Sequence, residues 1–462
     1  MNQHVRKQVS SEKYFAEVER LIAARELQTA AQRLNAVAHA AQADPRLHML
    51  GMQLAEAAGN HKAALESARR AVSHAPEWAP ATLNLALLLG RLNEYPEALA
   101  EADRAVALAP SAIAVLRGAI EIAQRVGDLP RSLRWLEAAL QIEPDNLDHR
   151  LRFAVALSMS GAHAQALDAL DKLVSEAASG TTARETRALA RALAGDSTGA
   201  VEDWDFLLEQ SPANPVWQYR RNVASGNVPA AAPAELVAAM FDNMADVYDM
   251  QQLRAARYRL PKDVADRIVQ LHPDRKLNVL DLGCGTGLLG VMLQRIDGAL
   301  VGVDASLKMM EKAAAHKVYA KFHHVNLLDA LEATPESLYE VITVLDVFTY
   351  IGDLSDAIPN ASRVLTPGGH LFFSCELLPE DADEDWTLLS SGHYAQKRSY
   401  VHELCVDAGL DPVIIQELTL RHEGGHLITG ILVEATKPER NTARPRKSAA
   451  KDKAQGPTGT AP

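Results

Sequence analysis

A chain of 462 residues with 48% hydrophobic side chains is long enough for two to four domains, and its net charge of −12 excludes bulk attraction to nucleic acid. Cys284, Cys375 and Cys405 form neither a paired framework nor a metal-ligand spacing, the usage expected of a protein of the reducing cytoplasm. The polar amino terminus shows no secretory pattern and no apolar run approaches bilayer length, so a membrane is not an expected partner.

Residues 15 to 225 are rich in Ala and Leu and carry an internal period. Ala64, Ala98, Ala166 and Ala200 stand at steps of 34 residues or its multiples, with Ser132 filling the gap. Ala71, Ala105 and Ala139 keep the same step and pass to Leu173 and Leu207. Pro76, Pro110, Pro144 and Pro212 hold a third register, with Ala178 in place of one proline; Gly59, Asn93, Gly127, Gly161 and Gly195 hold a fourth. A small residue in phase lets two helices approach, and proline ends the second helix of each unit. Five units are clear. A sixth, degenerate one precedes them, with Ala30 in phase but Pro45 three residues late. This helix–turn–helix period resembles the tetratricopeptide repeat, which implies a solenoid with a concave binding face. The groove positions of that family fall on Leu83, Leu87, Leu151, Val155 and Met159 beside Arg91, Arg117, Glu121 and Arg125. That mixture suits a protein partner, or the leucines are simply packing between repeats.

Gly226 to Pro233 breaks the helical pattern and reads as a linker. The expected domains are residues 1–225, residues 226–436 and a basic, disordered tail over 437–462. Phe241, Ala245 and Tyr248 recur at helical spacing, and a further helix is expected from Pro261 to about Leu271. Then comes the most informative stretch, Val279-Leu280-Asp281-Leu282-Gly283-Cys284-Gly285-Thr286-Gly287: a buried strand, a glycine turn, and a helix starting near Thr286 or Gly287. A second apolar run, Ala299 to Val303, ends in Asp304, 17 residues after Gly287 and placed to accept bonds from both hydroxyls of a ribose. The spacing is G-x-G-x-G, not the G-x-G-x-x-G of dinucleotide sites. The run D-L-G-C-G-T-G resembles the first motif of class I S-adenosylmethionine-dependent methyltransferases.

The rest of the chain extends the resemblance. Ala320 to His324 reads as a third strand, and Tyr339 to Leu345 as a fourth ending at Asp346. The family-like R-V-L-x-P-G-G run at 363–369 leads into a fifth strand, His370 to Ser374, with Glu376 just past it. Pro412 to Leu420 and His426 to Glu434 read as a closing hairpin around residues 421–425. The expected fold is an all-α repeat solenoid followed by a Rossmann-like domain with a mixed seven-stranded sheet.

The resemblance implies S-adenosylmethionine as cofactor, held by Asp281, Gly283, Cys284, Gly285, Gly287, Asp304, Ala305, Asn326, Leu327, Asp346 and Tyr248. Asn326 stands where the family often carries an acid for the adenine amine, with Asp329 as the alternative. Phe241 to Asp249 resembles an F-D-x-x-A-x-x-Y-D segment that covers the cofactor in one branch of the family. If the acceptor must lose a proton, Asp346, Glu376, His393 and Tyr394 are the candidate bases. Three readings stay open: a protein methyltransferase whose repeats recruit the substrate, a small-molecule O- or N-methyltransferase with regulatory or oligomerising repeats, and a non-catalytic cofactor-binding scaffold. No amide-recognition N-P-P-Y motif and no paired catalytic cysteines are present, which disfavours DNA as acceptor.

Overall fold

The computed structural model describes residues 3–38, 43–176, 180–245, 248–250, 258–423 and 426–439. The chain divides into two compact units, Met1–Asn227 and Val228–Pro462. No helix among the described residues is long and apolar enough to cross a membrane.

The first unit is an array of helix pairs: α1 (Gln3–Ala23) with α2 (Leu27–Ala38), α3 (Pro45–Ala57) with α4 (His61–His74), α5 (Ala79–Arg91) with α6 (Tyr95–Leu108) and α7 (Ile113–Val126) with α8 (Leu129–Ile142). It continues through α9 (Leu147–Met159) with α10 (His163–Ser175) and α11 (Gly180–Leu193) with α12 (Ser197–Gln210), and α13 (Pro215–Ala224) follows. The four sequence registers each have a physical job. The small residues at 64, 98, 132, 166 and 200 are all buried, as is Ala30 in the degenerate first pair. The turn register is left-handed throughout, with φ of 73° at Gly59, 64° at Asn93 and 79° at Gly127. Arg25 takes the same conformation at 62°, which puts the first pair in phase although no glycine marks it.

The expected groove divides. Leu83 is buried against Gly118, whereas Val155 and Met159 are 41% and 63% exposed. The basic residues are neutralised within the array: Arg91 pairs with Glu56, Arg117 with Glu143, and Arg125 with Glu121.

The second unit is built on one sheet. Its strands are β1 (Val279–Leu282), β2 (Leu300–Asp304), β3 (Lys321–His324), β4 (Tyr339–Val344), β5 (Leu365–Leu378), β6 (Trp386–Leu388), β7 (Tyr394–Lys397), β8 (Val413–Glu423) and β9 (His426–Thr436). The helices are α14 (Ala234–Met244), α15 (Tyr248–Met250), α16 (Leu260–Leu271), α17 (Leu288–Leu293), α18 (Leu307–Ala315), α19 (Leu327–Ala333), α20 (Ala357–Val364) and α21 (Arg398–Asp407). Strands β3, β2, β1, β4 and β5 run parallel in that order, and β9 and then β8 continue the sheet antiparallel. Buried Val279, Ile342, Phe373, Ile431 and Val433 lie along these central strands.

The sheet has nine strands, not the seven expected. Strand β5 runs past the end of β4, and its residues Glu376 to Leu378 pair instead with β7, which carries β6 at its edge. Strands of three and four residues are too short to show a period in the sequence. Two further boundaries moved. Strand β8 continues through Arg421 into what the glycines of residues 421–425 suggested was a turn. Lys437, at the head of the expected tail, is tied down: its backbone bonds Gly368 and Gly369, and its ammonium donates to the carbonyls of Ser362 and Leu365.

Candidate active site

The site lies at the carboxyl ends of the parallel strands, beside the β1–β4 pair where the strand order reverses and a ligand crevice is expected. After β1 the chain must turn sharply. Gly283, Gly285 and Gly287 all have positive φ, at 71°, 52° and 85°. Only Gly285 is bare above: a Cβ there would meet no atom within 4 Å and would enter the cavity. A Cβ at Gly283 would collide with Val347, and one at Gly287 would press on Ala313 and Tyr319. Gly287 therefore serves the seating of the α17 start against α18 and does not reach the cavity.

A cavity of about 280 Å³ opens over this turn. Of the residues singled out in the sequence, Tyr248, Gly283, Gly285, Asp304, Ala305, Asn326, Leu327 and Asp346 line it. Asp281 and Cys284 instead face a recess of about 30 Å³ beneath, shared with Tyr248 and Gly285. Asp281 is buried, and its carboxylate accepts from Tyr319 Oη at 2.6 Å and Thr343 Oγ1 at 2.8 Å. Burial raises its pKa to about 6 in spite of those bonds. Burial also pushes the Cys284 thiol up, so it is an inert space-filler.

Asp304 ends β2 at the rim. One carboxylate oxygen accepts from Gly285 N and the other from Ser306 N, both at 2.8 Å. Burial still holds its pKa above the ordinary carboxylate value. Each oxygen keeps a further lone pair for a ligand hydroxyl. Asn326 caps α19: its Oδ1 takes Asp329 N at 3.0 Å and its amide nitrogen donates to the Asp329 carboxylate. Its hydrogen-bonding groups are thus largely used inside the turn, which leaves Asp329, also on the cavity wall, as the better-placed acceptor for a ligand amine.

Asp242 and Asp249, two acids of the expected covering segment, reach the turns that follow β2 and β1. Asp242 accepts from Ser306 Oγ at 2.5 Å, two residues after Asp304, and that bond lowers its pKa. Asp249 accepts from the hydroxyl of Thr286 in the glycine turn. Between them Ala245 is buried, and Phe241 packs edge-on against Tyr248 and Tyr350, at 5.9 and 5.6 Å. Burial, reinforced by Asp346, raises the Tyr248 phenol far above its usual range, so it remains neutral.

The candidate bases separate. Asp346, at φ 59° just past β4, reaches the cavity and accepts from Arg421 Nη1 at 2.7 Å. Arg421 Nη2 binds Glu376 Oε1 at 2.5 Å, and His393 Nδ1 lies 2.9 Å from that same oxygen. Burial opposes ionisation of Glu376, but His393 and Arg421 outweigh it and hold its pKa low. Tyr394 is elsewhere: fully buried at the start of β7, it donates to Pro229 O at 2.7 Å and anchors the entry to the unit, although His393 immediately precedes it. Arg421 is the central residue that the sequence did not reveal. Its signal was weak: a lone arginine at the end of an apolar run, three residues before a pair of glycines, reads as a turn.

Fold and site together define a class. The sequence profile of the family described as "Methyltransferase domain" matches residues 253–411. A ubiquinone biosynthesis O-methyltransferase of Proteus mirabilis is 29% identical over 99 residues, 21% of this chain and 40% of that protein. The chain thus spans less than half the length of this curated relative. Among solved structures, the [4+2]-cyclase SpnF is 16% identical with a TM-score of 0.39, over 46% of this chain and 98% of its own. The TPR protein YrrB is 14% identical with a TM-score of 0.36, over 41% and 97%. Residues 253–411 match the methyltransferase-domain family, in a chain whose first half is an array of helix pairs with a 34-residue period.

Proposed function

We propose that this chain transfers a methyl group from S-adenosylmethionine to the hydroxyl of a small molecule. The observation that carries the cofactor assignment is the open space above Gly285, rimmed by Asp304. A bare glycine admits a ligand against the main chain, and an acid at the end of β2 can accept the ribose hydroxyls. Asp329 would take the adenine amine, and Phe241 and Tyr248 would cover the bound group. When bound, the cofactor supplies a methyl carbon made electrophilic by its attachment to a sulfonium. The protein's task is then to hold an acceptor atom in line with that carbon, exclude water and receive any proton lost. The hydroxyl acceptor is suggested by the O-methyltransferase named above. The fold alone would not fix the reaction.

Calorimetry with S-adenosylhomocysteine tests the cofactor assignment, with binding in the micromolar range expected. Incubation of labelled S-adenosylmethionine with cell extract tests the acceptor: label should enter small molecules. Label confined to protein would favour the other reading, in which exposed Val155 and Met159 form part of a recruiting face on the repeats.

A further inference from the structure

Residues 230–233, read in the sequence as linker, form a strap along one wall of the cavity. Ala231 makes an antiparallel bridge with Ile351. Ala232 N donates to Tyr350 O at 2.9 Å, and Gly352 N donates to Ala230 O at 2.7 Å. Two fully buried residues of β7, two apart and so on one face, hold both partners: Tyr394 Oη donates to Pro229 O and Gln396 Nε2 to Ile351 O, each at 2.7 Å. The strap is thus fixed by backbone bonds, and its side chains set the shape of the space beside them. Those side chains are small. Ala231 and Ala232 line the cavity, and Ala234 and Val237 continue the wall on the first turn of α14. From Ala234 to Phe241 only Glu235 is polar, yet no residue of α14 is buried. An apolar helix open on a cavity offers its surface to an apolar guest.

The two sides of the cavity differ in chemistry. At the ends of β1, β2 and β3 stand Gly285, Asp304 and Asp329, the groups that suit the ribose and adenine of the cofactor. Past β4 stand Val347, Tyr350 and Ile351, with the alanine strap bonded to them. Among the described residues no lysine, arginine or histidine lines the cavity, and its charged side chains are all carboxylates. A phosphate or carboxylate on the acceptor finds no cation there to offset its desolvation.

We propose that the strap and the first turn of α14 determine acceptor specificity, and that they select an uncharged molecule whose hydroxyl is carried on a bulky apolar body. This rests on the methyl-transfer reading above. Ala231, Ala232 and Ala234 leave the room that larger side chains would fill, and the apolar body gains free energy by leaving water for it.

Calorimetry on the full chain saturated with S-adenosylhomocysteine tests this, with 4-alkylphenols from methyl to hexyl as probes. Affinity should rise about three- to fourfold per added methylene until the space is filled, and then level off. Tyramine and 4-hydroxyphenylbutyrate, charged at the far end, should bind at least about tenfold more weakly than uncharged phenols of equal length. Ala232→Leu should bring the plateau to a shorter chain, and Val237→Ala should carry it to a longer one. Retained S-adenosylhomocysteine binding certifies the fold of each variant, and Val237→Ala decides alone where Ala232→Leu fails that check. Affinity flat with chain length, charged probes bound as well as uncharged ones, or a plateau unmoved in the folded variants would each overturn the proposal. Failure of wild type to bind S-adenosylhomocysteine would instead refute the cofactor reading on which it stands.

Discussion

Removing Arg421 is the sharpest perturbation of this site. The residue is 6% exposed and bonds two carboxylates, Asp346 and Glu376, that are themselves nearly buried. Arg421→Met keeps most of the side-chain volume and leaves both acids without their cation. Breaking a buried pair by deleting one partner costs about 3–5 kcal/mol, because the remaining charge is stranded. At roughly 2–4 °C per kcal/mol for a unit of this size, Tm should drop by roughly 6–20 °C. The pH dependence has a definite sign. In wild type the pKa of Glu376 is lowered, so its stabilisation is present above its unfolded value, about 4.3, and is lost as pH falls through the lowered folded value. In the variant, burial without the arginine favours the protonated acid, so its penalty grows as pH rises above about 4.3. The gap between the two proteins should be widest at neutral pH and narrow toward pH 4.5. Adding Glu376→Gln to Arg421→Met should recover part of the loss. Calorimetric scans of the full chain, with the second unit's transition identified by its shift with S-adenosylhomocysteine, measure all three. A gap independent of pH, or a double variant no better than the single, would refute the stranded-charge account.

Gly285→Val should abolish S-adenosylhomocysteine binding by filling the open cradle, while Asp304→Ala should weaken it by roughly tenfold to a hundredfold at about 1.4 kcal/mol per decade. Calorimetry decides both, and normal binding by a folded Gly285→Val would remove the cradle. Asp242→Ala with Asp249→Ala cuts the bonds to Ser306 and Thr286. At about 0.5–1.5 kcal/mol per bond, the pair should raise the ligand dissociation rate by roughly tenfold in stopped-flow, and an unchanged rate would mean that the segment does not close the site. Reversing the charge of Arg117 and Arg125 sets like charges against Glu143 and Glu121. It should leave cofactor affinity unchanged, and should lower methyl incorporation from a crude extract at low salt only if the repeats recruit the acceptor.

The repeats were legible because each register has one steric cause. A residue that must be small between two helices, or left-handed between them, recurs at every unit, and only Arg25 conceals a unit by filling a glycine's place. The central strands and the glycine turn were legible for the same reason, since local backbone demands show in local sequence. Acid pairs were harder. Asp242 and Asp249 belong to the segment read as cover for a cofactor, but nothing local named their partners, which lie more than thirty positions away. Arg421 was read as part of a turn because its partners, Asp346 and Glu376, lie 75 and 45 residues earlier. Nothing local distinguishes an arginine that will be buried by distant carboxylates from one left in water. The second hairpin was missed because β6 and β7 are held by the overrun of β5 rather than by their own period.

The balance of charge around the cavity leads to a last expectation. Asp281 is buried and Asp304 half-buried at the rim, and both are shifted upward, Asp281 to about 6, because removal from water disfavours their ionised forms. Burial therefore favours protonation of acids that a cationic ligand would favour ionised. S-adenosylmethionine carries a methyl group and a sulfonium charge that S-adenosylhomocysteine lacks, so the pH dependence of the ratio of their affinities isolates that charge. A unit charge within roughly 10 Å, at an effective dielectric of about 20, is worth on the order of 1–2 kcal/mol. As pH rises through about 6 and Asp281 ionises, the cofactor should gain several-fold to about tenfold over the product. Below that range the acid is neutral and the advantage should fade. Calorimetric affinities for both ligands at pH 5, 6 and 7.5 give the ratio directly. Asp281→Asn should flatten its pH dependence, with the amide oxygen accepting from one of the two hydroxyls of Thr343 and Tyr319 and the amide nitrogen donating to the other. A ratio constant across this range would show that the buried acids do not sense the sulfonium, and that they are kept for the architecture of the turn alone.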